Sequence, residues 1–518
     1  MTLLTDLPPE ILHHIFGYVD PPDLGWIPRI CKSLYFTVTS NTALFKLVYL
    51  NNLDKPSRDK IDWEKALKDY VRLQIICCQD RPLKEKKKEL FFVYETVKDL
   101  LQNAATDTAR HPSSTYVQSR NADLLSSFFA NETNQSAFLC QSFIYRFARN
   151  YGMNPEYVDS LPRADHRASA HLHCLYGVPM LYAQAHRTRS SKMSPYACAK
   201  VYDLRQYTSK TLWGPFMDDE TDEVDWEKVE AIMVVIGSNL KKLHLTRNPL
   251  CKDTWNMPFA GCWANSYKPL SIVREPDPLD LNDPYGVTGT WLRVVCFLDY
   301  TDFFAYNFTS DPPLPGVPRH AVHYGEATRL ILMKVRVTSI EPPGPYDGQA
   351  LPIVHFKGGS RSLDDSLDEN ANSDLRGMRG TVRLTREGEV RWTTFSIFEG
   401  VERWRSESVQ IGGPKSAKGV FGNWFDKDFD PRGPAGPTAF WKVSDTVAES
   451  GGYRALMREI LPLLHEQLAD GESDGDYEFP QADDEVEEGE DEEDEEGEDE
   501  PGVEIEIADV TWVSWTDD

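Results

Sequence analysis

The spacing of apolar residues changes its period partway along this 518-residue chain. No single layer of secondary structure satisfies both periods. Up to about residue 275 apolar side chains recur every three or four positions, as on a helix packed along one face. Val229, Ile232, Met233, Ile236, Leu240 and Leu243 follow this rule behind Asp225, whose carboxylate suits a helix N-cap. Segments 63–78 and 84–105 read as further helices, and Lys84, Lys86, Lys87 and Lys88 read as a solvated face of the second. From about residue 276 glycine and proline become frequent, and segments 290–300, 330–340, 380–385, 390–398 and 402–411 alternate with period two. Segments 381–384 and 390–393 flank Arg386-Glu387-Gly388-Glu389, a turn sequence that predicts an antiparallel hairpin. Many short antiparallel strands with glycine corners predict a barrel or a sandwich. The expected fold class is α+β and multidomain. Its expected parts are an N-terminal helical segment (1–50), a helical linker domain (51–275), a β-barrel-like domain (276–447), a C-terminal helix (448–469) and a tail (470–518).

The formal net charge is −27, and it is concentrated in that tail. Residues 470–518 carry 25 Asp/Glu and no Lys/Arg, which leaves residues 1–469 near neutral at −2. A near-neutral body with an acidic tail argues against nucleic acid as a partner. So much like charge with so few apolar residues predicts a disordered tail. Its end differs, because Ile505, Ile507, Val510, Trp512, Val513 and Trp515 form an apolar cluster that reads equally as incidental or as a docking segment. The chain shows neither a signal-peptide pattern nor an apolar run long enough for a membrane span, so no membrane association is expected, and the expected location is cytoplasmic or nuclear. Nine scattered cysteines without a C-x-x-C pair read as free thiols in a reducing compartment.

Within the first 50 residues, Leu7, Ile11, Ile15 and Val19 recur at spacing four, with Leu12 and Phe16 beside them. Prolines 8 and 9 fall in the first turn, where a missing N–H costs little. Fifty residues cannot hide this many apolar groups internally, so the surplus needs the rest of the chain or a partner. The succession Leu7-Pro8-Pro9-Glu10-Ile11-Leu12, Ile15-Phe16-Gly17-Tyr18-Val19, Asp23-Leu24 and Ile30-Cys31-Lys32-Ser33-Leu34 resembles the F-box. The resemblance implies a three-helix segment that docks on the small adaptor of an SCF ubiquitin ligase. It places Leu7, Pro8, Ile11, Leu12, Ile15, Leu24, Ile30 and Cys31 against that adaptor. Gly25 and Pro28 stand where the family has helix formers, which predicts a short or bent second helix. The strand signatures Gly289-Thr290-Trp291, His355-Phe356-Lys357-Gly358, Gly380-Thr381-Val382 and Gly388-Glu389-Val390-Arg391-Trp392 are in turn similar to the β-barrel region of fungal F-box proteins with a substrate-binding C-terminal barrel.

Nothing nominates a catalytic group. His166, His171, His173 and Cys174 are the densest ligand-type cluster, but they lack the second ligand pair that a zinc site of this kind needs, so no metal and no cofactor is expected. Segment 412–419 does not satisfy the phosphate-loop pattern, no G-x-S-x-G elbow occurs, and Asp299 and Asp302 read as strand-end and turn residues. A receptor needs a groove, and interface anchors favour Trp and Arg. Trp291, Arg293, Arg361, Trp392, Trp404 and Arg405 are therefore the candidates for a substrate surface, although most tryptophans serve as core. The resemblance implies a non-catalytic substrate-recognition subunit that reaches a cullin through the adaptor, holds an unknown protein substrate on the β domain and directs it to proteasomal degradation. The alternative is an F-box scaffold outside a ligase, with the acidic tail binding basic partners.

Overall fold

A computed structural model of the chain describes residues 4–56, 60–79, 81–106, 119–149, 163–182, 187–243, 255–267, 277–309, 318–362 and 376–445. The expected C-terminal helix, the acidic tail with its terminal apolar cluster, and residues 363–375 lie outside the described residues.

The N-terminal segment begins with the helix Pro9–Phe16, which buries Leu12 and Phe16 on one side and leaves Ile11 and Ile15 on the other. The second helix is short, as Gly25 and Pro28 predict. Pro21–Leu24 stops at Gly25, and Pro28 sits inside a separate 3-10 turn, Ile27–Arg29. Helices Lys32–Val38 and Thr42–Asn52 follow, the latter capped by the Asn41 side chain, which accepts the Leu44 N–H at 3.0 Å. Helix Trp63–Cys78 has the bounds that its spacing predicts. The lysine-rich helix differs. It divides into Leu83–Lys87 and Leu90–Gln102, and Lys86 is buried, its ammonium donating to Asn134 Oδ1 at 2.7 Å and to the Cys77 carbonyl at 3.3 Å. Charge clustering cannot reveal that correction, because a buried lysine is tolerated wherever acceptors have been assembled for it.

Among the described residues, eight strands close into an antiparallel barrel in sequence order: β1 (Gly289–Leu298), β2 (Glu326–Glu341), β3 (Ile353–Ser362), β4 (Arg376–Leu384), β5 (Val390–Phe398), β6 (Val401–Gln410), β7 (Val420–Asp426) and β8 (Ala435–Ser444). The expected hairpin is β4–β5, in register at Val382 with Trp392 and Leu384 with Val390. Gly388 takes a φ of 89° in its turn, a conformation that glycine adopts without strain. Strands β7 and β8 escape an alternation reading because both faces of each are covered.

Alternate residues of each strand face the lumen and the outside. Trp291, Met333, Val335, Val354, Phe356, Val382, Val390, Trp392, Val420 and Phe440 form one apolar cluster inside the barrel. Their neighbours Leu292, Val294, Cys296, Phe421, Phe425, Ala439 and Trp441 point outward and join the helical core instead. The central helix there is Trp226–Lys242, with Val229, Ile232, Met233 and Ile236 fully buried, lying against β1, β7 and β8. One continuous core thus runs from the N-terminal helices to the barrel wall, which fixes the barrel's position relative to residues 4–51.

The same helix buries Lys228. Its ammonium donates to the Lys200 carbonyl at 3.2 Å and Gln206 Oε1 at 3.4 Å and lies 4.5 Å from the Tyr207 ring. Burial, reinforced by nearby Lys200, pulls its pKa down to about 7. The folded chain therefore sheds this proton near neutrality, whereas an unfolded lysine keeps it to about pH 10.4. Between those limits the unfolded state binds more protons, so this group makes stability rise with pH. Replacing Lys228→Met should flatten the rise in unfolding midpoint between pH 7 and 9; an identical slope in both proteins would contradict the burial argument. Among the described residues, no helix is long and apolar enough to cross a membrane.

Candidate functional site

Local chemistry keeps the N-terminal apolar residues from satisfying one another. Helix Pro9–Phe16 is two turns long, and the helices that follow it up to Val38 are shorter still, so each can turn only one side to the core. The remainder stays in water. Of the 18 large hydrophobic residues exposed among the described residues, eight fall within residues 4–36: Leu4, Ile11, Ile15, Tyr18, Trp26, Ile30, Tyr35 and Phe36. Such a concentration in 33 residues, with the other ten scattered over the rest of the described chain, marks an interaction surface.

The eight residues expected on this surface divide. Pro8, Ile11, Ile15 and Ile30 are exposed, with Ile30 at 70%. Leu7 and Cys31 are half-buried against the core. Leu12 and Leu24 are each only 3% exposed and belong to the core itself, so they brace the helices and present no outward face. The motif spacing does not separate these roles, because adjacent apolar positions such as 11 and 12 are rotated by about 100° around a helix, which lets one enter the core while the other meets solvent. Tyr18, Trp26, Tyr35 and Phe36 join the exposed set although none is among the eight residues expected against the adaptor. Trp26 is held by Arg29, whose guanidinium lies 4.4 Å from its ring. The signal available for them was bulk: large aromatics on short helices and in the turns that join them.

The six residues expected to form a substrate surface lie in three different places. Trp291 and Trp392 are core of the barrel lumen, 4.9 Å apart in an edge-to-face pair, with their indole N–H groups donating to the Val287 carbonyl and to Gln410 Oε1. Arg293 and Trp404 face the lumen nearer its other end, where Trp404 packs edge-on against Trp424 at 5.3 Å. Arg361 and Arg405 point outward. Arg361 is paired in register with Leu332, whose side chain enters the helical core, and directly opposed residues share a face. Arg405 flanks Glu407 together with Arg391. These six do not form one surface. The tryptophan and arginine criterion selects bulky anchor types and is blind to which wall of a barrel they occupy.

The histidine-rich helix Arg163–Tyr176 spends its polar side chains on internal contacts. His171 stacks on Trp226 with centroids 3.5 Å apart and shares a 3.0 Å hydrogen bond with the Tyr94 hydroxyl. Burial holds its pKa well below the usual imidazole range. His173 Nδ1 lies 2.7 Å from Glu230 Oε1, both side chains being inaccessible to solvent. His166 pairs with Arg146 at 2.6 Å. Cys174 is buried, and burial keeps its thiol protonated. The phosphate-loop-like segment is the β6–β7 connection, tied to residues 261–267 by bonds such as Asn265 N–H to the Pro414 carbonyl at 2.9 Å. Asp299 caps the helix Tyr300–Phe304, accepting the Thr301 N–H at 2.9 Å.

Residues 4–51 match the family model described as F-box-like. No curated protein and no solved structure matches the chain. The matched span contains all eight of the clustered exposed hydrophobics. An F-box is a non-catalytic adaptor-binding module. By this match and the exposed face it builds, the N-terminal segment of the chain is an F-box-like domain.

Proposed function

We propose that the chain is the substrate-recognition subunit of an SCF-type cullin ubiquitin ligase. Residues 4–51 would bind the adaptor, and through it the cullin, while the C-terminal barrel region would hold a protein substrate. The observation that carries this reading is the exposed apolar cluster at residues 4–36 within an F-box-like domain. Apolar helical faces of this kind gain affinity by entering a partner's groove. Catalysis would belong to the assembly, and this chain's contribution would be proximity: a rigid body that holds a substrate lysine near activated ubiquitin. The continuous core between the helices and the barrel supports such rigidity.

The test is adaptor capture by purified full-length protein beside an Ile11→Asp/Ile15→Asp variant. These residues are 47% and 39% exposed, so the variant should fold with an unchanged unfolding midpoint. Two charges placed in an apolar interface should weaken capture at least about 100-fold, with each tenfold equal to about 1.4 kcal/mol. No capture by the wild-type chain would sink the receptor reading and leave the scaffold reading in its place.

A further inference from the structure

The two ends of the barrel lumen differ. One end is filled by Trp291, Phe356, Trp392 and Phe440. Toward the other, the inward positions hold smaller or more polar residues, among them Thr394, Ser396, Ser406 and Thr438. Val295, Phe297, Ile331, Ser396, Phe398 and Trp404 face this half and are only partly buried, so solvent enters it. Arg293 projects into it from the middle of β1, is 7% exposed, and makes one hydrogen bond, from Nε to Thr438 Oγ1 at 2.9 Å. Burial pulls the pKa of this guanidinium down to about 10, with no acidic neighbour among the described residues to oppose it. One step nearer the mouth on the same face, Arg329 lies 5.6 Å from the Phe297 ring. Ser408 Oγ, also inward, is buried without a partner.

A buried lysine such as Lys228 can shed its proton, whereas a guanidinium stays charged, so a lumen that holds Arg293 on a single neutral hydrogen bond is unbalanced in charge. We infer that the lumen binds a small amphipathic carboxylate, its head group on Arg293 and its apolar body along Phe297, Phe398 and Trp404 toward the mouth. A guanidinium matches a carboxylate in charge and in its two parallel N–H groups. One fully buried cation suits a monoanion. An eight-stranded barrel has room inside for one small ligand, whereas an acidic peptide would carry further charges and an unpaired backbone into the same space.

This inference is independent of the ligase reading, since adaptor capture reports on residues 4–51 alone. The experiment titrates purified full-length protein calorimetrically with decanoate and, separately, with decanol. Saturable decanoate binding with one site per chain, at least tenfold tighter than decanol, is expected. The Arg293→Met variant should bring decanoate down to the decanol level, and the wild-type comparison stands even if that variant does not fold. Equal binding of acid and alcohol, no saturable binding of decanoate, saturation only by an acidic peptide, or unchanged decanoate affinity in a folded Arg293→Met chain would each overturn it.

Discussion

Replacing Glu407→Ala should destabilise the folded chain by about 3–5 kcal/mol, the cost of stranding buried charge. Glu407 is inaccessible to solvent on the outer wall of β6, and its two carboxylate oxygens are divided between neighbours. Oε2 accepts from Arg391 at 2.9 Å and from the Thr393 hydroxyl at 3.0 Å, while Oε1 accepts from Arg405 Nε at 2.9 Å. The two guanidiniums then stack on the segment that packs against the barrel, Arg391 at 5.1 Å from the Phe216 ring and Arg405 at 5.4 Å from Trp213. Alanine would leave Arg391, itself 7% exposed, positively charged in a closed space. The measurement is denaturant unfolding followed by tryptophan fluorescence. An Arg391→Met/Glu407→Met double variant should lose less than Glu407→Ala, because it removes the more deeply buried guanidinium together with its carboxylate and strands only the partly exposed Arg405. A loss below about 1 kcal/mol for the single variant would put this cluster in the class of weak surface ion pairs.

Trp392→Ala should cost a similar amount, about 3–5 kcal/mol, by opening a cavity in the filled end of the lumen. Its ring, 1% exposed, meets Trp291 at 4.9 Å, Phe440 at 5.5 Å and Phe356 at 5.6 Å, and no neighbour is free to collapse into the space. Trp392→Phe would keep most of the packing but leave Gln410 Oε1 without the indole N–H it accepts at 3.0 Å, a loss of about 1–3 kcal/mol. Trp404→Ala, at a half-buried position, should cost clearly less than Trp392→Ala. Thermal unfolding of the three variants reads this order. If Trp392→Ala proved as stable as the wild type, the lumen would not be packed as described, and Trp392 would return as a binding residue.

The two readings of tryptophan show where sequence reasoning stops. Period and turn chemistry are local, and they place β1, β2, β4, β5 and β6 within a few residues and the hairpin at Gly388 in register. The F-box pattern was legible for the same reason: short helices with prolines in the first turn and apolar residues at fixed offsets are statements about neighbours in the chain. Lys86 and the division of the eight motif residues were not legible, since Asn134 and the core that receives Leu12 and Leu24 are distant in sequence.

By itself, then, the sequence determined that helices precede strands, that the N-terminal helices carry more apolar surface than they can bury, and that an F-box stands at residues 4–51. These follow from side-chain volume, polarity and spacing, which are properties of each segment alone. Only the tertiary structure decided that the barrel closes and rests its β1, β7 and β8 wall on helix Trp226–Lys242. It also decided that Trp291 and Trp392 fill the lumen while Arg293 stands in it with no counter-charge among the described residues. In a closed barrel every strand has two buried or half-buried faces, and which face meets packing, solvent or an unmatched charge is set by partners far along the chain.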